Sequence, residues 1–169
     1  LDHDYPYGKQ TKKRGGMWYT RVTGIWQTVW LEAVPERFII NLQIKPDLTG
    51  ISVHPCGNQG RCEIEVSYQG EKVAQGEFRD GMWCRIDIPE EHRHLWTPEE
   101  PHLYDMTVRG QSGDVVHSYF ALRTVEIRPD AKGVNRVCLN GEPIFLSGVL
   151  DQGDFHDGIY LPADPEEYD

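Results

Sequence analysis

A chain of 169 residues with 38% hydrophobic residues, five Trp, eight Tyr and five Phe has enough apolar mass to close a core, which excludes wholesale disorder. Its formal net charge of −10 repels phosphate backbones and argues against nucleic-acid binding. No run approaches the roughly 18 continuous apolar residues of a membrane helix, and no targeting segment is visible, so the compartment stays open among cytoplasmic, periplasmic and secreted.

Seventeen Gly and 11 Pro, dispersed along the chain, mark many turns and therefore many short strands. The chain opens without Met in a polar loop, which reads as an excised or processed segment, and its basic residues Lys9, Lys12, Lys13 and Arg14 read as a solvated loop. In residues 23–32 the apolar pattern has period two: Ile25, Val29 and Leu31 on one face, Trp26, Thr28 and Trp30 on the other. A strand apolar on both faces belongs inside a sandwich or at a domain junction.

Residues 36–129 read as seven short strands: 38–44, 50–54, 61–68, 72–78, 82–88, 102–108 and 115–127, the last bent or bulged at Ala121 and Leu122. Turn signals such as PDLTG, YQGEK and GQSGD separate them at the spacing of an all-β sandwich. Ile64, Val66 and Tyr68 face inward while Glu63, Glu65 and Ser67 face water. In 82–88, Trp83, Arg85 and Asp87 oppose Met82, Cys84, Ile86 and Ile88. Trp18, Trp26, Trp30 and Trp83 are all assigned to core packing rather than to a sugar-stacking platform, because an exposed platform forgoes the roughly 1.5–3 kcal/mol that burial of each large apolar side chain contributes.

In residues 130–169, Asn140-Gly141 between two apolar arms signals a tight hairpin. A further strand is expected over 145–150, then an acidic loop, then a helix start with Asp164 as N-cap, Pro165 in the first position, and Glu166 and Glu167 complementing the dipole.

Candidate chemistry is sparse. Asp151, Asp154 and Asp157 are spaced D-x-x-D-x-x-D, which is not the order of a calcium loop. Glu90-Glu91 and Glu99-Glu100 are adjacent and point to opposite faces, whereas glycoside cleavage needs two carboxylates converging from separate elements. His156 beside Asp157 has no Ser or Cys in a nucleophile elbow to complete a triad, and Ser147 lacks the flanking glycines. The four cysteines Cys56, Cys62, Cys84 and Cys138 read as reduced thiols; Cys62 and Cys84 bracket Trp83 too tightly for the inter-sheet bridge of an adhesion domain. No metal and no cofactor are expected.

Three stretches together resemble glycoside hydrolase family 2, the β-galactosidase and β-glucuronidase group. TGIWQTVWLE (residues 23–32) is similar to the end of the family's sugar-binding jelly roll. LWTPEEPHLY (95–104) is similar to the segment entering a late strand of its immunoglobulin-like domain. FALRTVEI (120–127) followed by LNGEPIFLSGV (139–149) resembles the passage into its catalytic barrel.

The resemblance implies an all-β chain, an immunoglobulin-like β-sandwich over residues 36–129. Residues 1–35 would be C-terminal strands of the jelly roll, and 130–169 the start of a (β/α)8 barrel. Forty residues are far short of the about 250 a barrel needs, so no residue here is expected to be catalytic. The implied role is a non-catalytic segment of an enzyme that cleaves O-glycosidic bonds by a retaining mechanism, inactive alone. Asp151, at the C-terminal end of the implied first barrel strand, is expected to contribute to the substrate pocket. The implied partners are the carbohydrate substrate and the remaining domains of the parent enzyme, with self-association left open and no nucleic acid or membrane. The alternative is a stand-alone carbohydrate- or protein-binding sandwich.

Overall fold

The computed structural model describes residues 9–11, 15–19, 24, 25, 27–58, 60–79, 81–150, 162, 164 and 166. The chain divides into two compact units, one formed by Leu1–Glu32 with Val149–Asp169, the other by Ala33–Gly148. In the first, Gln10 bridges Tyr19, and the Tyr19 N–H donates to the Lys9 carbonyl at 2.9 Å. Asp164 accepts the Glu166 N–H at 3.0 Å, as an N-cap would; Pro165 and Glu167 lie outside the described residues.

The second unit is all-β, with three antiparallel sheets and no α-helix among the described residues. One sheet holds β1 (Ile39–Pro46), β2 (Gly50–Gly57) and β5 (Cys84–Asp87) in the order β1-β2-β5. The second is ordered β4-β3-β6-β7, from β3 (Cys62–Tyr68), β4 (Glu71–Phe78), β6 (Tyr104–Gly110) and β7 (Val115–Phe120). Inward residues of both sheets form one buried cluster, so the two sheets are the halves of a sandwich. Period-two alternation selects its members. Ile51 pairs with Ile86 and Val53 with Cys84 in the first sheet; Ile64 pairs with Val108 and Val66 with Met106 in the second. Their neighbours Glu63, Glu65, Arg85 and Asp87 lie on the solvent side.

Turn chemistry sets the registers. Tyr68 pairs with Glu71 across a two-residue loop in which Gln69 (φ 51°) and Gly70 (φ 85°) both take left-handed backbone, the geometry that matches strand twist. Between β1 and β2, Asp47 Oδ1 accepts the N–H groups of Thr49 (2.7 Å) and Gly50 (3.0 Å). Arg85 then reaches across the sheet to Asp47 Oδ2 at 2.6 Å and to Asp87 Oδ1 at 2.8 Å. The β1–β2 register shifts between Ile39 and Asn41, a bulge near the start of the edge strand.

The third sheet is a meander ordered β10-β9-β8, from β8 (Val125–Pro129), β9 (Asn135–Leu139) and β10 (Glu142–Pro143). Leu139 pairs with Glu142, and the loop between them is Asn140 (φ 52°) and Gly141 (φ 88°), the hairpin that Asn-Gly predicts.

Three expectations need correction. The segment 115–127 is two strands in different sheets: β7 ends at Phe120 and β8 begins at Val125. Leu122 between them is fully buried and bridges Leu95, so the chain turns inward there instead of continuing the ladder. No strand forms over the described part of 23–32, nor over 145–150, because no neighbouring strand supplies a hydrogen-bonding ladder to either among the described residues. Their side chains are correspondingly exposed, Trp30 at 75% and Phe145 at 90%. Trp83 is not in the core. Cys84, Ile86 and Ile88 take the inward positions, so Trp83 falls outside with the Lys45 ammonium 4.3 Å from its ring centre and the His54 ring at 5.4 Å. Trp18 is also largely exposed; Trp26 lies outside the described residues.

Candidate functional site

Asp151, the one residue assigned to a substrate pocket from sequence, lies outside the described residues, as do Asp154, His156 and Asp157. The adjacent pairs Glu90-Glu91 and Glu99-Glu100 are exposed, the first on the short 3-10 turn Glu90–His92. None of the four cysteines is bridged by a disulfide. Among the described residues, no cluster of three or more His, Cys, Asp or Glu could hold a metal ion.

Two arrangements in the second unit carry geometry that the sequence did not announce. The first is a ring cluster at one end of the sandwich. Tyr104, fully buried at the start of β6, donates its hydroxyl to the His92 carbonyl at 2.6 Å and accepts the His94 N–H at 2.8 Å. Burial pushes its hydroxyl pKa up, since the low-dielectric surroundings disfavour the phenolate. The hydroxyl thus stays protonated and keeps its donor. Tyr104 stacks on Phe120 at 5.2 Å, Tyr68 stacks on His94 at 4.4 Å, and Tyr68 Oη lies 2.8 Å from His102 Nδ1. His102 Nε2 in turn faces the Glu100 carboxylate at 4.0 Å. Glu100, His102 and Tyr68 are therefore neighbours, but 4.0 Å between Glu100 and His102 is too long for the hydrogen bond that orients an imidazole in an acid–base site.

The second arrangement joins the third sheet to the sandwich. Asn140, in the hairpin turn, uses its side chain twice: Oδ1 accepts the Thr124 N–H at 3.1 Å and Nδ2 donates to the Trp96 carbonyl at 3.1 Å. Its own N–H donates to the Thr124 carbonyl at 2.9 Å, and the Trp96 N–H donates to the Leu122 carbonyl at 3.0 Å. The Arg123 guanidinium lies 4.5 Å over the Trp96 ring. Half-buried Trp96 is thus held on both main-chain groups and on one ring face. It lines a cleft of about 390 Å³ whose walls include Pro46, Leu103, Tyr119 and Arg123, with no carboxylate among its lining residues. These partners come from separate stretches, Asn140 lying 44 residues from Trp96. The only local signals were the Asn-Gly turn and the placing of Trp96 and Arg123 within recognisable motifs.

No family model matches the chain. It is similar to the β-galactosidase of Thermoanaerobacter pseudethanolicus, with 24% identity across 78% of this chain and 20% of that protein. The β-galactosidase of Aeromonas hydrophila is 26% identical across 79% of this chain and 15% of its own length. The β-galactosidase large subunit of Leuconostoc lactis is 26% identical across 76% and 22%. The chain thus spans about a fifth of the length of the curated relatives it matches. Among solved structures, the β-glucuronidase of Ruminococcus gnavus shares the fold, with a TM-score of 0.55 at 18% identity over 67% of this chain and 18% of that one.

Proposed function

We propose a role from the premise that this chain is a distant homologue of the β-galactosidases of glycoside hydrolase family 2 over a domain-sized part of them: it is a non-catalytic segment of an enzyme that cleaves O-glycosidic bonds. The observation that carries this reading is a match extending over more than three quarters of the chain but only 20% of the relative. In this reading residues 36–129 are the immunoglobulin-like sandwich that spaces domains around a sugar site. Residues 1–35 are the end of a jelly roll and 130–169 the entry to a (β/α)8 barrel, with Asp151 beside the substrate. Tyr104 supports the sandwich assignment. A tyrosine at the start of a late strand, bonded through its hydroxyl to upstream main chain, is the corner motif of immunoglobulin sandwiches.

The relationship Glu100–His102–Tyr68 is read as structural in this role, since Tyr68 and His94 stack on each other and the hydroxyl is spent on the imidazole. Two measurements test the proposal. The pure 169-residue chain is expected to release no nitrophenol from nitrophenyl β-galactoside or β-glucuronide; turnover overturns the non-catalytic assignment. The coding sequence flanking the 169 residues is expected to supply two glutamates at the ends of later barrel strands; their absence overturns the parent enzyme. A stand-alone binding sandwich is the second reading, favoured by the cleft at Trp96.

A further inference from the structure

The cleft beside Trp96 has features that domain spacing does not require. The Trp96 backbone is fixed by hydrogen bonds on both its main-chain groups, and the half-buried ring is covered on one face by Arg123 before any ligand arrives. Arg123 lies on that ring, and apart from this contact it has no hydrogen-bond or ion-pair partner among the described residues. Of the eight other arginines of the same unit, six, namely Arg61, Arg79, Arg85, Arg93, Arg128 and Arg136, are each bonded to a carboxylate or a carbonyl, while the side chains of Arg37 and Arg109 have no such partner among the described residues; Arg123 differs from those two in lying on an indole. In a chain of net charge −10, a guanidinium stacked on an indole and left without an acid has its N–H fork free for one. Tyr119, 66% exposed, and Leu103, 49% exposed, also line the cleft and give it an aromatic and an aliphatic surface.

We propose that this cleft binds a saccharide bearing a carboxylate, of the uronate class. The C–H face of a pyranose packs on the tyrosine ring and Leu103. The carboxylate takes the guanidinium edge in a two-pronged hydrogen bond, which a planar fork favours and a neutral hydroxymethyl group cannot form. The absence of any acid from the lining removes the repulsion that the rest of this acidic surface presents to an anion. The volume of about 390 Å³ suits a single sugar ring. The saccharide class rests on the glycoside-hydrolase reading; the anion site itself rests on the geometry alone.

The test is a titration of isotope-labelled full chain with methyl β-glucuronide and, separately, methyl β-galactoside, followed by proton–nitrogen correlation spectra. Trp96→Phe identifies the Trp96 indole signal. The uronide is expected to shift the Trp96 indole and Arg123 Nε–H signals with an affinity of about 1 mM, as suits a shallow site for one ring. Arg123→Gln is expected to weaken binding about tenfold, the scale of one charge-assisted hydrogen bond. Tyr119→Ala, at an exposed position, gives a second variant expected to weaken binding should Arg123→Gln lose its dispersed spectrum. Equal shifts with the galactoside, shifts confined to other residues, or none at all overturn the proposal. Failure here leaves the domain-spacing role standing, whereas missing glutamates in the flanking sequence would overturn that role without touching a measured Trp96 shift.

Discussion

The hydroxyl of Tyr104 and the carbonyl of His92 meet at 2.6 Å beneath the segment that leads into β6. That bond ties an otherwise irregular stretch to a residue with no solvent exposure. Tyr104→Phe removes the donor and also strands the half-buried His94 N–H, which the same hydroxyl accepts at 2.8 Å. The expected loss is about 1–3 kcal/mol. Urea unfolding should show a lower midpoint with an unchanged slope, and an unchanged midpoint would mean water replaces the hydroxyl.

Asn140 is expected to be sensitive for two reasons at once. Its φ of 52° disfavours side chains other than Asn, Asp and Gly, and its amide makes both cross-links of the hairpin. Asn140→Ala should cost about 2 kcal/mol or more. Asn140→Asp keeps the backbone tolerance and the acceptor but loses the donor to Trp96, and should cost less. Amide exchange at Thr124 and Leu139 reads the local loosening.

Gly50 has no space for a side chain. A Cβ there would lie 2.2 Å from the Ile86 carbonyl oxygen and 2.9 Å from the Asp87 Cα, both backbone atoms. Gly50→Ala must therefore push β2 from β5, and a loss of about 3 kcal/mol is expected. Gly70→Ala offers a contrast, since nothing lies near its Cβ position and only its φ of 85° is strained; its cost should be nearer 1 kcal/mol. Thermal unfolding of both variants checks the order.

The Arg85 guanidinium, by hydrogen bonding to Asp47, holds that carboxyl well below the usual carboxylate range. A depressed folded pKa contributes stability that is fully present above the unfolded value near 4 and is lost as pH falls toward the folded one. The side chain of Asp47 is 44% exposed, so solvent screening limits the contribution to about 1 kcal/mol. Stability measured from pH 6 down to 2 should therefore fall less steeply in Asp47→Asn than in the parent chain. Parallel curves would show that other carboxyls, such as Asp130, whose pKa is lowered by the Val134 and Lys132 N–H groups and then by Arg136, dominate the acid limb.

The sandwich was legible because its strands obey strict alternation. Ile64 and Val66 against Glu63 and Glu65, or Ile86 against Arg85, allow one orientation only. In 115–127 the irregularity at Ala121 and Leu122 was legible, but the change of sheet was not, since Val, Tyr, Phe, Leu and Ile continue through it without a Gly or Pro. Only the pairing of Leu122 with Leu95 shows why the chain leaves the ladder. Trp83 misled because size suggests burial, whereas its place before Cys84 in the alternation sends it outward. The Trp96 cleft needed contacts across long sequence separations, which no local pattern records.

The bulge between Ile39 and Asn41 bears on how copies of the chain meet. A flat, fully regular margin would invite a neighbour to extend the ladder and grow fibres. Here β1 is kinked near its start and ends in Pro46, which offers no N–H, while β5 at the far side of the same sheet is only four residues long. Growth by strand addition is thus obstructed at both margins of this sheet, so exposed apolar side chains beside it, such as Ile40, do not sit on a template for polymerisation.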